Sequence, residues 1–438
     1  MQEQDSAINN EPQQKSSRDF LGSIMRGDKR IWGIYFFLFC FSAVEIFSAT
    51  SQLAYKSTYV SDPAFSHIRN LLLGLAAVLL TQSLSLKAVK AWSIVVWIAA
   101  VGFAVLTLMF GVEQKGASRS FAGIQPVEIC KIGVVLALSL AITARDTKYQ
   151  VFTFFRSNTR RRRFWVYLLL VGIATVPIAT QNLSSGIIIG LTAISLLFLG
   201  RVYGEYLWWL LGIAAIVGIL AMGLLKKVYN DNKDVSGLDN IENVEKKSED
   251  TNFLSLDRLS TWANRVYGES DKPLWEEDVN GKKSQELCAH MALVNGYPFG
   301  KFIGNSKMRD FLPEAYSDYI FSIIVEEWGP LGGLLILIIY LSLLIRCVVL
   351  ARQTSDPYMR LVMIGLPLIM VIQALIHIGV CTGAMFVTGQ PLPLLSRGGS
   401  SILGTSVSFG IILALSRLIQ QEEKERLLSQ SQTNEISD

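Results

Sequence analysis

Ten stretches of about twenty residues, each almost free of charge, recur along this chain and restrict its fold more than any other feature. A soluble protein of 438 residues has no core in which to bury so many runs of that length. The chain is 51% hydrophobic and only 17% charged, against roughly 25% charged in soluble domains, so the bilayer is the solvent this sequence requires. The runs fall at 31–50, 70–86, 91–112, 126–144, 164–180, 183–200, 206–225, 318–350, 361–383 and 400–418. Lipid offers the backbone no hydrogen-bond partner, so each run must be a helix. The expected fold is an all-α integral membrane protein with ten transmembrane helices.

Lys and Arg in the short loops set the orientation, because positive charge is retained on the cytoplasmic side. Lys87, Lys90, Arg145, Lys148, Arg156, Arg160 to Arg163, Arg201, Arg346, Arg352, Arg360 and Arg417 all fall on the side of the N-terminal tail. The opposite loops hold only Lys56, Lys115, Arg119 and Arg397. An even number of crossings puts both termini in the cytoplasm. The chain then divides into a polar tail (1–30), seven spans (31–225), one large extracytoplasmic loop (226–317), three further spans (318–418) and a second polar tail (419–438). The net charge of +4 comes from 40 basic and 36 acidic residues dispersed over many loops, which argues against a nucleic-acid-binding surface. The five cysteines have the spacing of neither a zinc site nor a disulfide framework.

Chemistry concentrates in three places. The run from Asp318 to Leu350 would be about 50 Å long as one helix, more than the roughly 30 Å hydrocarbon core, so it must protrude, tilt or bend. Gly329 and Pro330 mark the bend. Asp318 then stands near headgroup level at the outer mouth of the bundle, with Glu314 four residues back on the same face. A carboxylate there can serve as general base for a polar group presented at the outer leaflet, or simply be an acid favoured at a helix start. Glu45, Glu128 and Lys131 lie inside spans, where charge is costly and tends to mark function. Glu128 and Lys131, at i, i+3, either neutralise each other or offer Lys131 to a phosphate, while Glu45 has no evident partner. The segment TGQPLPLLSRGGSS, 388–401, is kept extended by its prolines and opens the last helix at Gly398, Gly399, Ser400 and Ser401. Beside Arg397, such a helix start suits a diphosphate, or is only a glycine-rich turn between packed helices.

Four ordered blocks resemble one family. LPEAYSDYIFSIIVEEWG, 312–329, is similar to the LPE…TDFIF…EELG segment of the SEDS proteins (shape, elongation, division and sporulation), which include FtsW and RodA. QPVEICK, 125–131, resembles that family's QPSELAK; NGYPFGKFIGNS, 295–306, its GPFGxGLGxS; and TGQPLPLLSRGGSS its TGLPLPFISYGGSS. The resemblance runs from the first helix to the last, and the long tails and acidic outer loop lean toward FtsW, the septal member, rather than RodA.

The resemblance implies a peptidoglycan glycosyltransferase that polymerises lipid II, the undecaprenyl-diphosphate-linked disaccharide peptide, at the division septum of the bacterial cytoplasmic membrane. It assigns Asp318 as the catalytic base that deprotonates the acceptor's 4-hydroxyl for inverting attack on the donor. Arg119, Glu128, Lys131, Arg258, Arg265, Glu314, Arg397 and Ser400 become substrate-binding candidates, with a divalent cation (Mg2+ or Mn2+) assisting and no organic cofactor. The implied partners are a class B penicillin-binding protein and other divisome membrane proteins. The sequence departs from the family pattern at Asn182, where the pattern has aspartate, and at Arg397, where it has tyrosine; Lys115, Ser120 and Phe386 are further departures. A lipid II flippase and a non-catalytic division scaffold remain open as alternatives, the first favoured by the embedded charges and the second by a purely structural Asp318.

Overall fold

The structure is a computed structural model of the chain. It describes residues 25–49, 62–114, 117–120, 125–144, 160–202, 284–312 and 315–437, with scattered positions between 208 and 263. The expected seventh span, 206–225, falls mostly outside the described residues, as does most of the outer loop.

Among the described residues the elements run α1 (Lys29–Ala49), α2 (Asp62–Thr81), α3 (Leu86–Phe110), β1 (Val112–Gln114), β2 (Ala117–Ser120), α4 (Pro126–Thr143), α5 (Arg160–Gln181), α6 (Leu183–Leu199), α7 (Ser284–Asn295), α8 (Ile320–Gln353), α9 (Pro357–Cys381) and α10 (Gly399–Ser437). Eight of these helices are long and apolar enough to cross a membrane, and α6 is a shorter apolar helix. The β1–β2 pair is a small antiparallel hairpin.

Two boundaries differ from the hydropathy reading for identifiable reasons. Helix α2 starts at Asp62 rather than 70, because its polar first turns face protein: His67 is wholly buried and its Nε2 lies 2.8 Å from Ser42 Oγ. Helix α10 does not stop at the membrane boundary but continues to Ser437. Its tail is rich in Glu, Lys, Arg, Leu and Gln, all strong helix formers, and Glu422 pairs with Arg426 at 2.8 Å across one turn.

Helix α4 is the axis of the bundle. It packs on α3, α5, α6, α9 and α10, and 83% of its span is buried, against 22% for α3. That difference explains why α4 carries an ion pair while α3 presents Trp92, Val95, Ile98 and Met109 outward, as a lipid-facing helix does.

Helix α8 bends where the sequence places the bend. Gly329 has φ 73° and ψ 177°, a backbone region open essentially only to glycine, and Pro330 follows it. Pro330 has no N–H to give the Glu326 carbonyl one turn back, and the bend frees the Glu327 carbonyl as well. Both are satisfied from the loop before α8: Lys301 N–H donates to Glu326 O and Phe302 N–H to Glu327 O, each at 2.9 Å. The loop can approach so closely because Gly300, also left-handed at φ 78°, lies against the Gly329 backbone without a side chain. The Glu326 carboxylate completes the junction, accepting from Asn295 Nδ2 at 3.2 Å, Lys307 N at 3.1 Å, Met308 N at 3.2 Å and the Ser306 hydroxyl. A Cβ at Gly329 would sit 2.8 Å from the Phe299 carbonyl carbon. Gly329→Ala is therefore expected to cost about 1–3 kcal/mol from backbone strain alone, with the clash added, read as a lowered melting temperature in detergent. An unchanged melt would mean the loop is not held on the kink.

At the other end of α8, Asp28 ties three helices together. Its Oδ1 caps α1 by accepting from Arg30 N at 2.9 Å and Ile31 N at 3.2 Å, and its Oδ2 accepts from Arg346 of α8 and Gln420 of α10. Burial pushes this carboxyl's pKa up, but the hydrogen bond and charge of Arg346, with the two capping amides, outweigh it and hold the pKa below the ordinary aspartate range. A depressed folded-state pKa contributes stability above the unfolded value of about 3.9, and that contribution disappears as pH falls through the folded-state value. Asp28→Asn should thus lower stability at neutral pH by about 1.5–3 kcal/mol, with the gap to wild type closing on acidification; a gap independent of pH would show that charge is not the cause.

Candidate functional site

The chain between α9 and α10 runs irregularly through the bundle, so its carbonyls must be satisfied by side chains rather than by a helix or sheet. The Gln373 amide donates to Pro391 O at 2.6 Å, Tyr340 OH to Pro393 O at 2.5 Å and the Ser184 hydroxyl to Thr388 O at 3.1 Å. His377 Nδ1 lies 2.7 Å from Gln390 O, which requires the proton on Nδ1 in the neutral ring. The Gln390 amide in turn reaches Ser185 Oγ at 2.8 Å and Ser184 Oγ at 3.1 Å. Three helices, α6, α8 and α9, therefore hold one extended strand of chain, and the polar residues scattered through their apolar runs are its clamps.

That segment positions Asp318. Arg397 N–H donates to Tyr316 O at 2.9 Å and the Ser396 hydroxyl to Ser317 O at 2.7 Å, docking the turn at 315–319 onto the re-entrant chain. Helix α8 itself begins only at Ile320, so Asp318 lies in the preceding turn and not on the helix. Asp318 is partly exposed and accepts a hydrogen bond from Ser317 Oγ at 3.1 Å.

Beside it is a cavity of about 200 Å³. Asp318, Glu128 and Arg397 supply its charges, and Gln125, Gln181, Asn182 and Gln390 its amides; Gly398 and Ser401 bring in the start of α10. This is smaller than the roughly 300–1,000 Å³ of sites that enclose drug-sized ligands, so it suits a headgroup's reacting end and not two whole disaccharides. Glu128 also lines a second, apolar groove of about 710 Å³ between α2, α3, α4 and α10, where Leu80, Trp92, Ile132 and Leu403 form the walls. A polar chamber thus meets an acyl-sized groove at one carboxylate.

The sequence candidates separate accordingly. Asp318, Glu128 and Arg397 share the cavity. Lys131 stands just behind it, pairing with Glu128 at 2.8 Å and donating to Gln373 Oε1 at 2.7 Å, so mutual neutralisation is real whatever else the lysine does. Ser400 lines the apolar groove, one residue from Ser401 in the polar cavity. Arg119 belongs to β2, its side chain outside the described residues; Arg258, Arg265 and Glu314 also lie outside them. Glu45, partnerless in sequence, accepts from Trp328 Nε1 at 3.1 Å. Gln125, Gln181, Ser185 and Gln390 were not among the sequence candidates, although a glutamine inside an apolar run is the signal that marks them. As for a divalent cation, no three His, Cys, Asp or Glu side chains among the described residues gather as a metal site. Of the two cavity carboxylates Glu128 is already ion-paired, so a cation would find Asp318 alone beside a fixed guanidinium, a poor donor set for it.

The FTSW_RODA_SPOVE family model, described as "Cell cycle protein", matches residues 28–421. The probable peptidoglycan glycosyltransferase FtsW of Geobacter metallireducens is 27% identical over 391 residues, covering 86% of this chain and 92% of that one. The protein of the same description from Enterococcus hirae is 29% identical over 416 residues, covering 91% and 94%. A chain of a solved peptidoglycan synthase complex shares the fold at a TM-score of 0.64, with 19% identity over 90% of this chain and 99% of that one. Matched from the start of α1, through the kinked α8 and the cavity beside it, to the membrane end of α10, this multi-pass membrane protein belongs to the FtsW/RodA/SpoVE family, the SEDS proteins.

Proposed function

We propose that the chain is a peptidoglycan glycosyltransferase that polymerises lipid II into glycan strands during septal wall synthesis, with Asp318 as general base. The observation that carries this reading is that the two cavities share a wall: a carboxylate, a guanidinium and four amides line a polar chamber that has Glu128 in common with an apolar groove. A substrate with a polyprenyl tail, a diphosphate and a sugar has those three parts in that order. The tail lies in the groove, the diphosphate near Arg397 and the start of α10, and the sugars extend above the small chamber. Asp318 accepts the proton of the acceptor's 4-hydroxyl as its oxygen attacks the donor's anomeric carbon from the face opposite the diphosphate, which leaves with the bonding electron pair.

The finer topology belongs to the same reading: ten spans with both termini cytoplasmic, in the inner membrane at the septum, and the loop 226–317 outside. A class B penicillin-binding protein would receive the new strand for crosslinking. Purified full-length protein, supplied with such a partner and fluorescent lipid II, should yield glycan ladders. Leaflet-to-leaflet movement of lipid II in vesicles without any polymer would overturn this in favour of transport. Ladders made by the partner alone would reduce the chain to a scaffold.

A further inference from the structure

Two departures from the family pattern, Asn182 and Arg397, line the same cavity. Together they shift its charge in one direction: where the pattern has aspartate there is an amide, and where it has tyrosine there is a guanidinium. Neither change supplies a ligand for a cation. Asn182 Oδ1 already accepts from the Ser184 hydroxyl at 2.5 Å, and Glu128 is paired with Lys131 at 2.8 Å, so Asp318 is the one cavity carboxylate without an ion-pair partner among the described residues. Arg397, by contrast, is held in place. Its backbone docks on Tyr316 O, its guanidinium lies 5.4 Å from the centre of the Tyr316 ring, and Nη2 donates to Ser66 Oγ at 3.3 Å. A positioned guanidinium is charged at every working pH and presents a planar fork that matches phosphate oxygens.

We propose that Arg397 takes the place of a divalent cation in this chain, binding the donor's diphosphate directly, so that the reaction needs no added metal. This rests on the glycosyltransferase reading and specifies how its leaving group is held. As the anomeric C–O bond breaks, its electron pair passes to the diphosphate oxygen while the acceptor proton goes to Asp318. The guanidinium offsets the charge that the diphosphate gains. Tyr316 and Ser66 act as positioning residues for Arg397.

The test uses full-length protein in nanodiscs, supplied with the same class B penicillin-binding protein partner. Wild-type polymerisation of fluorescent lipid II should be the same in EDTA as in Mn2+ or Mg2+. The double variant Asn182→Asp with Arg397→Tyr, which restores the family pattern, should fall at least about 100-fold in EDTA and recover with Mn2+. Two readouts need no turnover. Electron paramagnetic resonance should find no site-bound Mn2+ in wild type and one ion in the double variant, and calorimetry with inorganic pyrophosphate in EDTA should show binding weakened about tenfold or more by Arg397→Tyr. Loss of wild-type polymer in EDTA with recovery in Mn2+ would overturn the proposal, as would wild-type Mn2+ binding that Asp318→Asn removes. If wild type makes no polymer with or without metal, the glycosyltransferase reading fails, and the Mn2+ and pyrophosphate arms still decide the role of Arg397.

Discussion

Asp318→Asn is expected to leave a folded protein that makes no detectable glycan from lipid II. The substitution keeps the size of the side chain and an Oδ1 able to accept the Ser317 hydroxyl, now 3.1 Å away, so the local hydrogen bond survives. It removes only the capacity to take a proton. General-base catalysis contributes typically 10²–10⁴-fold, which is enough to carry a processive polymer below the limit of a gel assay. Because Asp318 is partly exposed and none of the described helices depends on it as a cap, its melting temperature should match wild type within the effect of about 0.5 kcal/mol usual for such positions. The decisive comparison is therefore ladder intensity at equal folded protein. Ladders of wild-type strength would eliminate the base assignment, and a lowered melt would mean Asp318 holds the turn rather than serving chemistry.

How much of this arrangement was readable beforehand depends on sequence distance. The spans follow from runs of apolar residues, and the bend in α8 follows from Gly329 and Pro330, because the missing N–H is a property of the residue itself. What receives the freed carbonyls is not local: nothing in the EEWGP run points to Lys301 and Phe302. The same limit applies at the site. Asp318 and Arg397 each stand out in sequence, but the bond from Ser396 to Ser317 that brings their turns together joins residues 79 apart. Glu45 and Trp328, 283 residues apart, illustrate it further. The start of α2 differs for another reason: hydropathy scores Ser66, His67 and Arg69 as loop, whereas His67 is buried against Ser42 of α1 and Ser66 meets Arg397 of the re-entrant chain. Polar residues that satisfy buried backbone have no periodicity to betray them: the polarity of Gln373 inside an apolar run is legible, but the extended segment that it clamps is not.

Lys131→Met separates structure from function at the centre of the bundle. Lys131 is 6% exposed, pairs with Glu128 at 2.8 Å and donates to Gln373 Oε1 at 2.7 Å, while the amide of that glutamine holds the re-entrant chain at Pro391. Removing the ammonium leaves the Glu128 carboxylate buried without its counter-charge, a change that costs about 3–5 kcal/mol, so the single variant should be strongly destabilised and poorly expressed. Adding Glu128→Gln removes the orphaned charge; replacing a buried ion pair by neutral groups of similar volume is often close to neutral, and the double variant should recover most of the melting temperature. Activity should not return with it. If Lys131 lends positive charge to the diphosphate through the cavity wall, polymerisation by the refolded double variant stays at least about 100-fold below wild type, the usual effect of deleting one electrostatic contact to a transition state. A double variant that melts and polymerises like wild type would make the pair a packing device, leaving Arg397 as the cavity's working cation; one that stays unfolded would place the missing stability in the Gln373 contact, which Lys131→Arg with Glu128 intact should then preserve.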